Sequence, residues 1–287
     1  MMWQLENARF QVSINPRGAE LTRLWDAQVQ HNWMWQPQPD VWNNVATQLF
    51  PVVGRLIHDG LWQGERFFPL PAHGFLRHHP FRCLEHSAAR LVIEACDDDR
   101  SRAIWPFAWR MRMVWQLTAD GLKIDWQVSN HDEERWGYSL GWHPGFAVPI
   151  ASEAGWQVRF SGGAPRGPFP THQRLLTMIE EAPEVEIFPL TAQVFAAGAV
   201  YFSHMQHRQI AVCSPSGEPR IILETGDQPW LALWGVPGAD LLCIEPLCGT
   251  TDAPDFDGQI DHKRGIRWLD PGQTHIHHVA VRFPADR

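Results

Sequence analysis

No apolar run in this sequence approaches the roughly 20 residues that a membrane-spanning helix requires, so no such span is expected. Positive charge is also short: 24 Lys and Arg stand against 32 Asp and Glu, for a formal net charge of -8 and a pI near 6.0. That balance argues against nucleic acid or an acidic membrane surface as partner. Cysteine is sparse and odd in number (Cys83, Cys96, Cys213, Cys243, Cys248), with no Cys-x-x-Cys pair. A chain of 287 residues needs no disulfide staples. Met1 to Glu6 lack the basic-then-apolar layout of a signal peptide, and a reduced, cytoplasmic setting follows as the expectation. The phosphate loop, the dinucleotide fingerprint and His-Glu-x-x-His are all absent. His78-His79 and the His275, His277, His278 cluster lack a partner at metal-ligand spacing and read as surface histidines. No metal site is expected from them.

Helical periodicity is scarce too, with weak traces only near Leu175 to Glu181 and Ala192 to Ala197. What the chain has instead is strand pattern. Short apolar runs, among them Ala8 to Ile14, Ala19 to Trp25, Trp230 to Trp234, Leu241 to Glu245 and His275 to Phe283, are separated by turn residues. From Ala108 to Ser129, apolar and polar residues alternate on both sides of Asp120-Gly121, which predicts a hairpin. With Asp120-Gly121 as the turn, Leu117 opposes Ile124, Trp115 opposes Trp126 and Met113 opposes Val128, all on one face. Gln28 to Asn44 and the Gly- and Pro-dense stretch Ser161 to Thr171 read as loops, and Asp97 to Asp99 as a solvated turn. No linker-like break divides residues 1–287, so an all-β chain forming one large antiparallel β-sandwich is predicted.

Four polar residues share one local setting: an apolar strand, the polar side chain at its end, and a backbone-bending neighbour. They are Arg55 in Val-Gly-Arg, His73 in His-Gly-Phe, His143 in Trp-His-Pro-Gly, and Glu245 in Ile-Glu-Pro. Each has an ordinary structural explanation: a core histidine held by the backbone, or a glutamate in a salt bridge. The alternative is chemical, because an imidazole and a carboxylate in one cleft suit proton transfer on a neutral polyhydroxyl compound. The 16 tryptophans point the same way, since indole rings stack on sugar C–H faces. Trp115 and Trp126 read as core, whereas Trp33, Trp35, Trp42 and Trp142 lie where a sugar platform is expected. A glycosidase would need a second facing carboxylate, and neither Asp252 nor Asp255 shares the placement of Glu245.

These motifs, in this order, resemble the aldose 1-epimerase (galactose mutarotase-like) family, in its shorter bacterial branch. The matching segments are Leu49 to Arg55, Ala72 to Phe75, Gly141 to Phe146, Cys243 to Gly249, and Lys263 to Gly272. The resemblance implies a supersandwich fold and a small-molecule sugar substrate. It also implies no metal or organic cofactor, Glu245 and His143 as catalytic base and acid, and His73 and Arg55 as the groups that orient the ring oxygen and hydroxyls. Glu245 and His143 are expected to face each other across a sugar-sized gap, where mutual attraction keeps Glu245 ionised and His143 protonated. Where the family often has a sugar-binding aspartate, Leu190 to Phe195 has no carboxylate, and Gln193 is the residue that can take its place. Three functions stay open: an aldose mutarotase; a hexose-6-phosphate 1-epimerase with Arg55 and Arg77 on the phosphate; and a non-catalytic carbohydrate-binding or regulatory domain. Only the first two need both Glu245 and His143.

Overall fold

A computed structural model describes residues 2–177, 181–191 and 193–285. Among them run 24 strands, one four-residue α-helix and two 3-10 turns. Two antiparallel sheets carry the architecture. In the nine-stranded sheet, Thr274–Arg282, Gly121–Asn130 and Trp109–Leu117 are adjacent and long. In the seven-stranded sheet, Val200–Ser203, Trp230–Trp234, Leu241–Leu247, Gly141–Ala147 and Ala46–Leu49 lie side by side. Alternation along each strand sends one set of side chains between the sheets. Trp115 and Trp126 from the first sheet join Trp142, Leu242 and Ile244 from the second in one buried cluster. Trp126 Nε1 also donates to Gln48 Oε1 at 2.9 Å, linking the sheets through the core. A four-stranded N-terminal sheet (Trp3–Glu6, Phe10–Asn15, Glu20–Asp26, His31–Asn32) packs on the same cluster. No helix among the described residues is long and apolar enough to cross a membrane.

The hairpin forms, with its turn one residue earlier than the sequence suggests. Leu117 pairs with Leu122, Trp115 with Ile124, Met113 with Trp126 and Met111 with Val128. A two-residue change of register keeps every side chain on its face, so the alternation alone could not detect it. Gly121 belongs to the ladder: a Cβ there would lie 1.9 Å from the Val281 carbonyl oxygen. Its glycine serves the close approach of the neighbouring strand.

Three other segments differ from expectation. Arg166–His172 is a strand despite Pro168 and Pro170. Its register shifts between Arg166 and Phe169, and Leu175–Leu176 pairs only with its last two residues, so prolines lacking N–H are tolerated. That pairing also makes Leu175–Leu176 strand rather than helix, while residues 178–180 and 192 lie outside the described residues. Trp33, Met34 and Trp35 are buried, not in a surface loop, because Trp35 N–H bonds the Gly145 carbonyl and Met34 bridges Phe146. Asp98 caps the Asp99–Arg102 helix by accepting from Ser101 N–H.

Candidate active site

His143 and Glu245 lie on neighbouring antiparallel strands of the seven-stranded sheet. Gly141 pairs with Leu247 and Gly145 with Cys243, which places His143 opposite Glu245. On the same strands Trp142, Phe146, Leu242 and Ile244 face the inter-sheet core. Period two therefore sends His143 and Glu245 to the other face of the sheet. His143 Nε2 is 3.3 Å from Glu245 Oε1, and the two side chains are only 11% and 5% exposed. The row continues across the sheet, since Thr47 pairs with His143, Ala232 with Glu245, and Tyr201 with Ala232.

Two expectations are corrected here. His143 and Glu245 are mid-strand, because Gly141–Ala147 and Leu241–Leu247 run straight through Pro144 and Pro246. Gly145 makes no bend; a Cβ there would come within 2.6 Å of Trp42, whose indole stacks on His143 at 4.9 Å and 25°. The imidazole and carboxylate also touch, instead of facing each other across a sugar-sized gap. Contact suits the chemistry better. The anomeric hydroxyl and ring oxygen of a pyranose hang on one carbon, so an acid and a base serving both must be adjacent.

A cavity of ≈ 310 Å³ opens above this pair, at the small end of the range for ligand pockets. Trp42 and Trp234 form its aromatic wall, with ring centroids 4.9 and 5.9 Å from His143. His73 approaches His143 edge-on at 5.8 Å. Its Nδ1 accepts from Gly54 N–H at 3.2 Å, which leaves the proton of the neutral ring on Nε2. His73 and Gly74 both adopt left-handed backbone (φ 65° and 68°), and a Cβ on Gly74 would lie 2.0 Å from the Phe50 carbonyl oxygen. Here the glycine does bend the chain. Arg55 follows Gly54 (φ 77°) and donates to the Gln173 carbonyl at 2.8 Å. Arg77, Arg174 and Tyr201 complete the polar lining.

Of the residues singled out from sequence, the structure gathers Glu245, His143, His73 and Arg55 around this cavity. Trp142 is in the core, 1% exposed, on the opposite face of its strand from His143. Gln193 lies in an exposed turn away from the cavity lining. Trp33 and Trp35 are buried, and of the four loop tryptophans only Trp42 lines the cavity. Arg174, Tyr201 and Trp234 escaped sequence reasoning. Trp234 closes a strand as His143 was expected to, and that was the available signal. Asp252 is no second carboxylate, because it is paired with Lys263 at 2.5 Å. Among the described residues no group of three or more His, Cys, Asp or Glu is placed to share a metal ion. His277 is not a surface histidine: it is buried, with Nδ1 2.7 Å from Asp227.

Burial governs the charge of the pair. It pushes the His143 imidazole down to about 3 and Glu245 well above the ordinary carboxylate range. Both shifts disfavour isolated charges, against the expectation that attraction alone keeps both groups charged. The two directions together leave the pair holding one proton across the neutral range, shared between groups in contact. His73 is also held well below its ordinary value, by burial first and then by the charges of His143, Arg77, Arg174 and Lys263. Tyr201 is raised by burial and by Glu245, so its phenol stays neutral.

The sequence model described as aldose 1-epimerase matches residues 1–282. LacX (chromosomal) of Lactococcus lactis subsp. lactis is 24% identical over 293 aligned residues, covering 96% of both chains. A galactose mutarotase related enzyme from Lactobacillus acidophilus superposes with a TM-score of 0.92 at 25% identity, over 99% of this chain and 97% of that one. A galactose mutarotase-like protein from Lactobacillus casei gives 0.89 at 24% identity, over 99% and 100%.

Proposed function

Since this chain belongs to the aldose 1-epimerase family, we propose that it interconverts the α and β anomers of an aldohexopyranose. The observation that carries this reading is the 3.3 Å contact between His143 and Glu245 at the floor of a walled cavity. Opening a cyclic hemiacetal requires removal of the anomeric hydroxyl proton and protonation of the ring oxygen, after which the C1–O bond breaks to the aldehyde. In the tautomer with the proton on His143, Glu245 is the base and His143 the acid. Rotation about C1–C2 presents the other face of the aldehyde, and closure returns both protons. The pair ends as it began, so no nucleophile is required. Arg55 and the Nε2–H of His73 orient the ring oxygen and hydroxyls, and Trp42 and Trp234 enclose the C–H faces.

A second reading has its own support. Arg55, Arg77 and Arg174 line the cavity, and among the described residues Glu245 is the single acidic one in its lining. Such a lining favours an anionic substituent, as in an aldose 6-phosphate. Proton exchange NMR at anomeric equilibrium, over a panel of free and 6-phosphorylated aldoses, separates the two. Exchange cross-peaks between α and β H1 signals are expected with protein and not without it. Their absence for every sugar would refute both readings.

A further inference from the structure

We propose that the buried Lys263–Asp252 pair is a positioning device for the polar wall of the cavity. Both side chains are 1% exposed, and Lys263 Nζ lies 2.5 Å from Asp252 Oδ1. Taking two charges out of water is costly and seldom repaid in stability, so the pair calls for a geometric explanation. The hydrogen bonds supply one. Asp252 Oδ2 accepts from Ile57 N–H at 2.9 Å, and Asp252 N–H donates to the Arg55 carbonyl at 3.1 Å. Arg55 N–H in turn donates to Thr251 Oγ1 at 3.0 Å, and that hydroxyl donates to the Arg174 carbonyl at 2.6 Å. Tyr201 takes a hydrogen bond from the Thr251 backbone. Two consecutive residues, Thr251 and Asp252, therefore hold the backbones of two cavity arginines and the hydroxyl of the cavity tyrosine.

Lys263 is what holds that segment. Besides Asp252 it donates to the Thr250 carbonyl at 3.1 Å, and Arg264 Nη1 bonds Thr250 Oγ1 at the same distance. The ammonium holds the Asp252 side chain turned away from the cavity, where a free carboxylate would repel an anionic ligand and compete with Glu245. None of these bonds reaches His143 or Glu245, which are fixed by the sheet. The device therefore acts on substrate affinity and leaves the proton-transfer pair in place.

The kinetic part of the test rests on the mutarotase reading, and the second part does not. Asp252→Leu/Lys263→Met removes both charges together, so no unpaired charge is left buried. In this variant KM is expected to rise about tenfold with kcat within about twofold of wild type. Lys263→Arg, which keeps the charge, recovers most of the affinity. Independently, hydrogen exchange should show the Arg55 and Ile57 amides losing protection at least about tenfold while the core strands keep theirs. If the double variant does not fold, Asp252→Asn carries the same measurements. An unchanged KM in a folded variant, or a loss confined to kcat, would overturn the proposal. If wild type interconverts no sugar, the functional reading fails and the exchange experiment decides: unchanged Arg55 and Ile57 protection would overturn the positioning role.

Discussion

The charge state of the His143–Glu245 pair predicts an unusual pH profile. The ordinary imidazole value is 6.5 and burial holds His143 at about 3, a difference on the order of 5 kcal/mol against charging the ring. The active form carries one proton between the two groups. On the acid side activity is lost only when a second proton enters, and the lowered His143 value puts that step at about pH 3. On the alkaline side the remaining proton is held by a carboxyl raised well above its usual range. An exposed pair would confine activity between roughly pH 4 and 6.5, whereas the buried pair extends it through neutrality in both directions. The assay is kcat/KM for anomer interconversion from pH 4 to 9, corrected for the spontaneous rate, with folding followed by circular dichroism. A plateau across pH 5 to 7.5 is expected. An alkaline limb with an apparent pKa of 6 to 7 in folded protein would refute the reasoning, because it would mean a solvated imidazole.

Further expectations concern stability and substrate choice. Burial opposes charge on His277, but Cys248 and Asp227 outweigh it and raise its pKa to about 10. A raised value means stabilisation complete below pH 6.5 and lost as pH climbs toward 10. Urea unfolding should therefore show a decline of roughly 3–5 kcal/mol over that window, discounted for the partial exposure of Asp227. Asp227→Asn should flatten it, and an equal decline in that variant would refute the assignment. Gly74→Ala combines positive φ with a Cβ 2.0 Å from the Phe50 carbonyl. It should cost more than about 2 kcal/mol in urea unfolding, and a neutral result would mean that the His73 turn tolerates a side chain. Arg77→Ala should raise KM for an aldose 6-phosphate by about 10- to 100-fold, the loss of one charge-assisted bond. Equal losses for the free and phosphorylated sugar would remove the phosphate reading.

Much of the fold was legible because period-two alternation is a strong signal, and Trp230–Trp234 begins and ends where its residues indicate. The hairpin shows the limit of that signal. Alternation fixes faces, while the turn position depended on whether Gly121 served φ or close approach, and one chain alone cannot distinguish these. The same ambiguity misled at Gly145, whose missing side chain makes room for Trp42 and bends nothing. Trp142 was grouped with the loop tryptophans of a sugar platform. It lies on a strand beside His143, and strand neighbours point in opposite directions, so it belongs to the core. Arg174 and Tyr201 reach the cavity through Thr251, a contact across long stretches of chain that no local pattern encodes. Burial was the other hidden quantity: Glu245 and His143 were identified as residues, but enclosure, not mutual attraction, sets their protonation.

The most direct measurement is polarimetric relaxation of a freshly dissolved α-aldose, either free or as its 6-phosphate, with wild type beside Glu245→Gln. The amide keeps the shape and burial of the side chain and cannot take the proton. Wild type should speed the approach to anomeric equilibrium, and the variant should lose about 10²- to 10⁴-fold in kcat while remaining folded. A folded Glu245→Gln protein that relaxes the sugar as fast as wild type would contradict the account.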